Sequence, residues 1–227
     1  MFRFKQFVIE QELCAMKVGT DGVLLGAWAE GGQRILDVGT GTGVIALMMA
    51  QRFPEAQVTA LDIDEGAVLQ ARHNVAHSPF KDRVEVLHSS VQEFSPSKSK
   101  ILHSKFDSIV ANPPFFIDSL RAPDTQRNAA RHTDTLSYDE LMQSASRLLT
   151  DEGVISVIVP FDYRRRMDDA ALFAGLYPCR LCAVSTKEGK PPRRYLLSYS
   201  RRLRPLRSET LTIGSEAYQQ LTQDFYL

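Results

Sequence analysis

Asn112-Pro113-Pro114-Phe115 follows the apolar run Phe106-Asp107-Ser108-Ile109-Val110-Ala111, the pattern of a turn at the end of a buried strand. Two acceptors sit side by side on it: the Asn112 side-chain oxygen and the Pro113 carbonyl. The prolines stiffen the turn and so fix the direction of that carbonyl. The nitrogen of a planar amino group is a poor nucleophile, because its lone pair is delocalised. Two fixed acceptors can take its hydrogens, let the nitrogen rehybridise and stabilise the charge that develops on it during alkylation. Phe115 can stack on a planar substrate, a contact worth about 1–3 kcal/mol for a nucleobase. A rigid proline turn with a capping Asn is the plainer reading, and the glycine loop upstream argues against it.

In that upstream loop, Arg34-Ile35-Leu36-Asp37-Val38 runs into Gly39-Thr40-Gly41-Thr42-Gly43. Glycines there permit unusual dihedrals and let a ligand lie against the main chain. Gly41-Thr42-Gly43-Val44-Ile45-Ala46 also satisfies the dinucleotide fingerprint G-x-G-x-x-A, with Asp62 about twenty residues on. On these residues alone an NAD-type cofactor stays a rival. The acid before the glycines, in Asp37-x-Gly39-x-Gly41-x-Gly43, resembles instead the S-adenosylmethionine loop, and Asn112 has no part in dehydrogenation. S-Adenosyl-L-methionine is therefore the expected donor. Asp62 would accept both ribose hydroxyls, Ile63 would cover one adenine face, and the Ser90 hydroxyl or the Val91 N–H would read the adenine edge. Proteins that this S-adenosylmethionine-type loop resembles often carry an acid at the place of Ser90. Asn112 is expected beside the donor as well as the acceptor.

These residues need strands to hold them. Apolar runs alternate with helical patterns, which predicts a parallel α/β sheet. Strands are expected near 34–38, 57–62, 83–88, 106–111 and 153–159, and helices near 21–30, 43–53, 65–77, 137–149 and 163–174. Ser137-Tyr138-Asp139-Glu140 has capping-box spacing. Leu181–Ser185 and Tyr195–Tyr199 flank a segment holding Gly189-Lys190-Pro191-Pro192 and read as a hairpin. The expected fold is a class I methyltransferase sheet, Rossmann-like and seven-stranded. It is parallel except for the C-terminal antiparallel hairpin, with helices on both faces. One domain spans 1–227, with a short extension over about 1–33 and a tail over about 203–227. The polar stretch 95–100 reads as a surface loop, and 116–136 as a lid that orders on substrate.

The chain's 227 residues and 44% hydrophobic content suffice for one α/β domain. No run of eighteen apolar residues appears, and the start has no signal-peptide core, so no membrane association is expected. Three cysteines cannot all pair, which points to a reducing cytoplasm. Cys179-x-x-Cys182 lacks a second pair, and on a strand its thiols would diverge. His73 and His77 share a helix face without a third ligand, so no metal is expected. Net charge is zero but uneven: residues 163–207 hold twelve Lys and Arg against three acids. That surplus fits a polyanion surface as well as a solvated periphery. Lys187, Lys190, Arg193 and Arg194 on the hairpin, with Arg127, Arg131 and His132 on the lid, are the candidate phosphate contacts. A stacked target base would have to be splayed out to reach Phe115.

Beyond these motifs, Met16-Lys17-Val18-Gly19-Thr20-Asp21-Gly22-Val23-Leu24-Leu25-Gly26-Ala27-Trp28, Ala130-Arg131-His132-Thr133 and Asp224-Phe225-Tyr226-Leu227 are similar to signatures of one family. Over nearly its full length the chain resembles bacterial tRNA adenine N6-methyltransferases that act on adenine 37 of tRNA-Val. The resemblance implies S-adenosylmethionine as donor, a tRNA partner, and Lys17, Thr20 and Asp21 near the methionine end of the cofactor. A monomer without an obligate protein partner is expected. Ribosomal RNA is an alternative acceptor for the same chemistry, and a protein glutamine amide is another. Glutamine methyltransferases usually carry Tyr where Phe115 stands, and a helical domain for which the residues before 34 leave no room. A binding protein that keeps the fold without turnover is the reading from another class. Intact Asp37, Asp62, Asn112 and Phe115 argue against it.

Overall fold

The computed structural model describes residues 1–14, 16–96, 105–113 and 136–226. A short antiparallel pair, β1 (Phe2–Arg3) and β2 (Val8–Ile9), leads to α1 (Thr20–Trp28). Then strands and helices alternate: β3 (Arg34–Val38), α2 (Val44–Arg52), β4 (Gln57–Asp62), α3 (Glu65–Ala76), β5 (Val84–His88) and β6 (Phe106–Ala111). They continue as α4 (Tyr138–Leu148), β7 (Leu149–Pro160), α5 (Arg164–Phe173), β8 (Tyr177–Ser185), β9 (Arg194–Ser200), β10 (Arg207–Thr212) and α6 (Glu216–Thr222).

The main sheet has the order β10-β8-β9-β7-β6-β3-β4-β5. Only β9 opposes its neighbours; the other pairings are parallel. The central strands are apolar and buried on both faces, as parallel strands sandwiched by helices must be. Two buried clusters form, one on each face. Residues of α1, α2 and α3 pack on one, and residues of α4 and α5 on the other. The capping box forms as its spacing predicts: the Glu140 amide donates to Ser137 Oγ at 3.2 Å, and the Ser137 amide to Glu140 Oε2 at 2.9 Å.

Among the described residues the sheet has eight strands where seven are expected. The eighth is β10, within the predicted tail. Five of its six residues carry no buried side chain, so the sequence shows no apolar alternation there. It is fastened instead by Arg180, which grips Glu209 through Nε (2.8 Å) and Nη2 (3.1 Å). The same guanidinium lies 4.2 Å over the Trp28 ring, and Trp28 Nε1 donates to Glu209 Oε2 at 3.2 Å. β7 begins at Leu149, earlier than expected, because Leu149 pairs with Phe106 before a register shift. Residues 97–100 of the predicted surface loop lie outside the described residues, as does the predicted lid, of which Leu136 alone is described.

Candidate active site

Parallel strands deliver their C-terminal ends to one edge, and the candidate residues gather there. β3 opens into Gly39, Gly41 and Gly43, with φ of 70°, 54° and 82°. Side chains rarely adopt these angles. The Gly39 and Thr40 amides both donate to the Leu61 carbonyl, and the Gly41 amide donates to Asp62 Oδ2 at 2.8 Å. Asp62 Oδ1 takes the Asp64 amide at 3.0 Å. The end of β4 therefore holds the loop in shape. A Cβ on Gly39 would meet nothing within 4 Å, so the loop leaves open space there.

Beside this loop lies a cavity of about 490 Å³. Its lining includes Gly39, Gly41, Asp62, Ile63, Ser90, Val91, Asn112 and Pro113, which sequence reasoning named. Ile63 is half exposed, an apolar face offered to the cavity rather than to the core. Ser90 Oγ accepts the Glu93 amide at 3.3 Å. Arg147 on α4 fixes this segment by donating to the carbonyls of Val91, Gln92 and Phe94. Asn112 Oδ1 is buried and has no hydrogen-bond partner among the described residues. A buried acceptor left unmatched costs about 1–3 kcal/mol, which a ligand's N–H relieves.

Other expected residues lie elsewhere. Asp37 does not line the cavity. It is fully buried beneath the loop, where Oδ2 accepts Thr40 Oγ1 at 2.6 Å and the Ala46 amide at 3.1 Å. Burial pushes its carboxyl up to about 7. Gly43 sets the close approach of α2 to α3: a Cβ there would lie 3.4 Å from that of Ala71. Lys17 is turned back onto the carbonyls of Gln11 and Cys14. Thr20 is the first residue of α1, capped by Gly19 without a side-chain bond. Asp21 pairs with Arg194 at 2.8 Å, so a residue expected at the cofactor and one expected at RNA hold each other. Lys187, Lys190 and Arg193 are exposed on the β8–β9 loop. Pro114, Phe115, Arg127, Arg131 and His132 lie outside the described residues.

Sequence reasoning missed the strap over residues 10–14. The Glu10 amide donates to Asn74 Oδ1 and the Leu13 amide to Gln70 Oε1, while Asn74 Nδ2 reaches the carbonyls of Glu10 and Thr42. Cys14, at the end of this strap, and Met16 just beyond it then line the cavity. A signal existed: Gln70 and Asn74, four apart on α3, are amides on a helix face that is otherwise apolar. Gln92, Leu136 and Glu140 are further lining residues; the sequence marks Glu140 only as part of a capping box and Leu136 only as the end of the predicted lid. Cys14, Cys179 and Cys182 are all free and buried, and the described residues hold no cluster able to bind a metal.

The methyltransferase small domain model matches residues 18–170. The chain belongs to that family. A relative from Phocaeicola vulgatus is 50% identical over all of this chain and 97% of its own length. Relatives from Bacteroides fragilis and Trichodesmium erythraeum are 47% and 43% identical over the same shares. All three are named tRNA1(Val) (adenine(37)-N6)-methyltransferase. Among solved structures, a predicted O-methyltransferase from Agrobacterium tumefaciens matches with a TM-score of 0.68 at 20% identity, covering 90% of this chain and 96% of that one. TrmN from Thermus thermophilus matches with a TM-score of 0.55 at 23% identity, covering 79% of this chain and 47% of that one. These two likenesses establish the class I methyltransferase fold.

The cofactor of such an enzyme is S-adenosyl-L-methionine, and the cavity suits it. Its lining includes the apolar side chains of Val38, Leu61, Ile63 and Val91, the kind of surface a purine face requires. The Asp62 carboxylate fits a diol. The volume lies within the range of small-molecule sites.

Proposed function

We propose that the protein methylates N6 of an adenine in tRNA, namely adenine 37 of tRNA-Val, with S-adenosylmethionine as donor. The observation that carries this reading is the unmatched, buried Asn112 Oδ1 beside Pro113, both lining the cavity that Asp62, Ile63 and Val91 also line. The full-length relatives' shared name supplies the acceptor.

The donor supplies an electrophilic methyl group on a sulfonium. The chain's own residues do the rest. Asn112 Oδ1 and the Pro113 carbonyl accept the two hydrogens of the exocyclic amino group, which directs the lone pair and stabilises the charge arising on nitrogen. Phe115 stacks on the target base. Asp62 fixes the ribose, and Gly39 and Gly41 let the main chain approach the donor. No titrating base is required, because the methylated nitrogen loses its extra proton readily. The protein acts as a monomer and a single methyltransferase domain in the cytoplasm, and its free, buried cysteines accord with a reducing compartment.

Incubation with labelled S-adenosylmethionine and unmodified total tRNA, followed by nucleoside mass analysis, tests the proposal. Label recovered as N6-methyladenosine supports it. Label appearing only in ribosomal RNA or in glutamine-containing protein would replace the acceptor, and no label in any of the three would leave a binding protein.

A further inference from the structure

Phe161 follows the last residue of β7 at the same sheet edge as Asn112. Ala111 lies opposite Val157, so Phe161 stands a few residues above Asn112, on the order of 10 Å away at strand spacing. It is not part of the cavity lining. The residue is 47% exposed, a large hydrophobic side chain left partly open at the sheet edge that carries Asn112. It is also held in place. The Phe161 amide donates to the Arg193 carbonyl at 3.1 Å, and the ring stacks on buried Tyr195 with centroids 5.6 Å apart and planes at 25°. On Tyr195 lies the Arg164 guanidinium, 4.9 Å from its centroid. One ring face is occupied, and nearly half of the residue remains open to solvent.

The charge around it matches a polyanion. β8 runs parallel to β7, so the β8–β9 loop emerges at this same edge and presents Lys187, Lys190 and Arg193. Arg165 is exposed at the start of α5, one turn from Phe161. Asp162 and Glu188 are the acids on these stretches, outnumbered by the cations. An aromatic ring in a basic groove is how single-stranded nucleic acid is held without reading its sequence.

We propose that Phe161 is a stacking platform for an RNA base flanking the methylated nucleotide, with Arg165, Lys187, Lys190 and Arg193 on the neighbouring phosphates. This rests on tRNA being the acceptor. Phe161 is a positioning residue: it keeps the strand on the edge while the target base enters the reaction centre.

Steady-state methylation of tRNA by wild type, Phe161→Ala, Phe161→Leu and Phe161→Trp tests this. Loss of one stacked base predicts a roughly tenfold rise in KM for tRNA in the Ala variant, with kcat little changed. Leu, apolar but without a π face, behaves like Ala, and Trp restores the wild-type KM. The chain's one native tryptophan, Trp28, is buried, so Phe161→Trp adds an exposed emitter that tRNA should quench. An active wild type with an unchanged KM in the Ala variant, full rescue by Leu, or no quenching in the Trp variant overturns the platform alone. A wild type that leaves tRNA unlabelled overturns the tRNA reading, and the platform with it.

Discussion

The Gly41 amide and the Asp62 carboxylate are joined at 2.8 Å, so one side chain both shapes the glycine loop and lines the cavity. A carboxylate offers about four acceptor sites. Two are taken by the Gly41 and Asp64 amides, which leaves two for a ribose diol. Asp62→Asn keeps an acceptor for the loop but loses the charge. Calorimetry should show S-adenosylmethionine binding weakened about 10- to 100-fold, since hydrogen bonds to charged groups contribute about 1.5–3 kcal/mol. Asp62→Ala should bind more weakly still and melt lower. Undiminished affinity in the Asn variant would take Asp62 out of the cofactor contacts.

Asn112 makes a different pattern. Its Oδ1 is buried without a partner, so the free protein is expected to gain nothing from it. Asn112→Ala should reduce kcat by about 10²–10³, the scale for removing one oriented polar group at a reaction centre. Affinity for S-adenosylmethionine should stay nearly the same, and the melting temperature of the free protein should not fall. A large loss of cofactor affinity would place the residue's main role at the donor.

Asp37 gives a dependence on pH. Burial raises its carboxyl from 3.8 to about 7, with Asp62 nearby pushing the same way. The folded state thus binds a proton that the unfolded chain releases, and folding stability falls as pH rises between those values. The stabilisation is fully present below about 4 and lost through about 7, at most about 4 kcal/mol. Asp37→Asn keeps an oxygen for Thr40 and Ala46 and cannot ionise. The melting temperature of the variant relative to wild type should therefore climb from pH 5 to pH 8. A flat difference would mean that Asp37 is ionised in the fold throughout.

Much of this site was legible because its signals are local. The glycine loop, Asp62 and Asn112-Pro113 lie at strand ends, and strand ends follow from apolar runs broken by turn residues. What escaped detection depends on long-range pairing. β10 joins the sheet through Arg180, Glu209 and Trp28, and 181 residues separate the two ends of the Trp28–Glu209 bond. The family resemblance assigns Asp21 to the cofactor and the basic hairpin offers Arg194 to RNA; only the fold shows that the two pair with each other. Asp37 lay on the motif itself, yet the polypeptide uses it inside the loop, a distinction that spacing cannot carry.

The strap is the part of the site with no motif, and Asn74 is its anchor. Asn74 is 1% exposed and satisfies three backbone groups: the Glu10 amide, the Glu10 carbonyl and the Thr42 carbonyl. Through Thr42 it also touches the glycine loop, so strap and loop share one side chain. Asn74→Ala would strand all three groups, each at about 1–3 kcal/mol if it stays buried. The chain can avoid that cost by releasing the strap to water. The variant should therefore lose only about 1–3 kcal/mol of global stability, while the Glu10 and Leu13 amides exchange hydrogen much faster. Because Cys14 and Met16 line the cavity, S-adenosylmethionine should bind several-fold more weakly. Faster exchange confined to these amides together with weaker binding would establish that the strap closes the cofactor cavity. Faster exchange with unaltered binding would reduce it to a stabilising segment of the N-terminus.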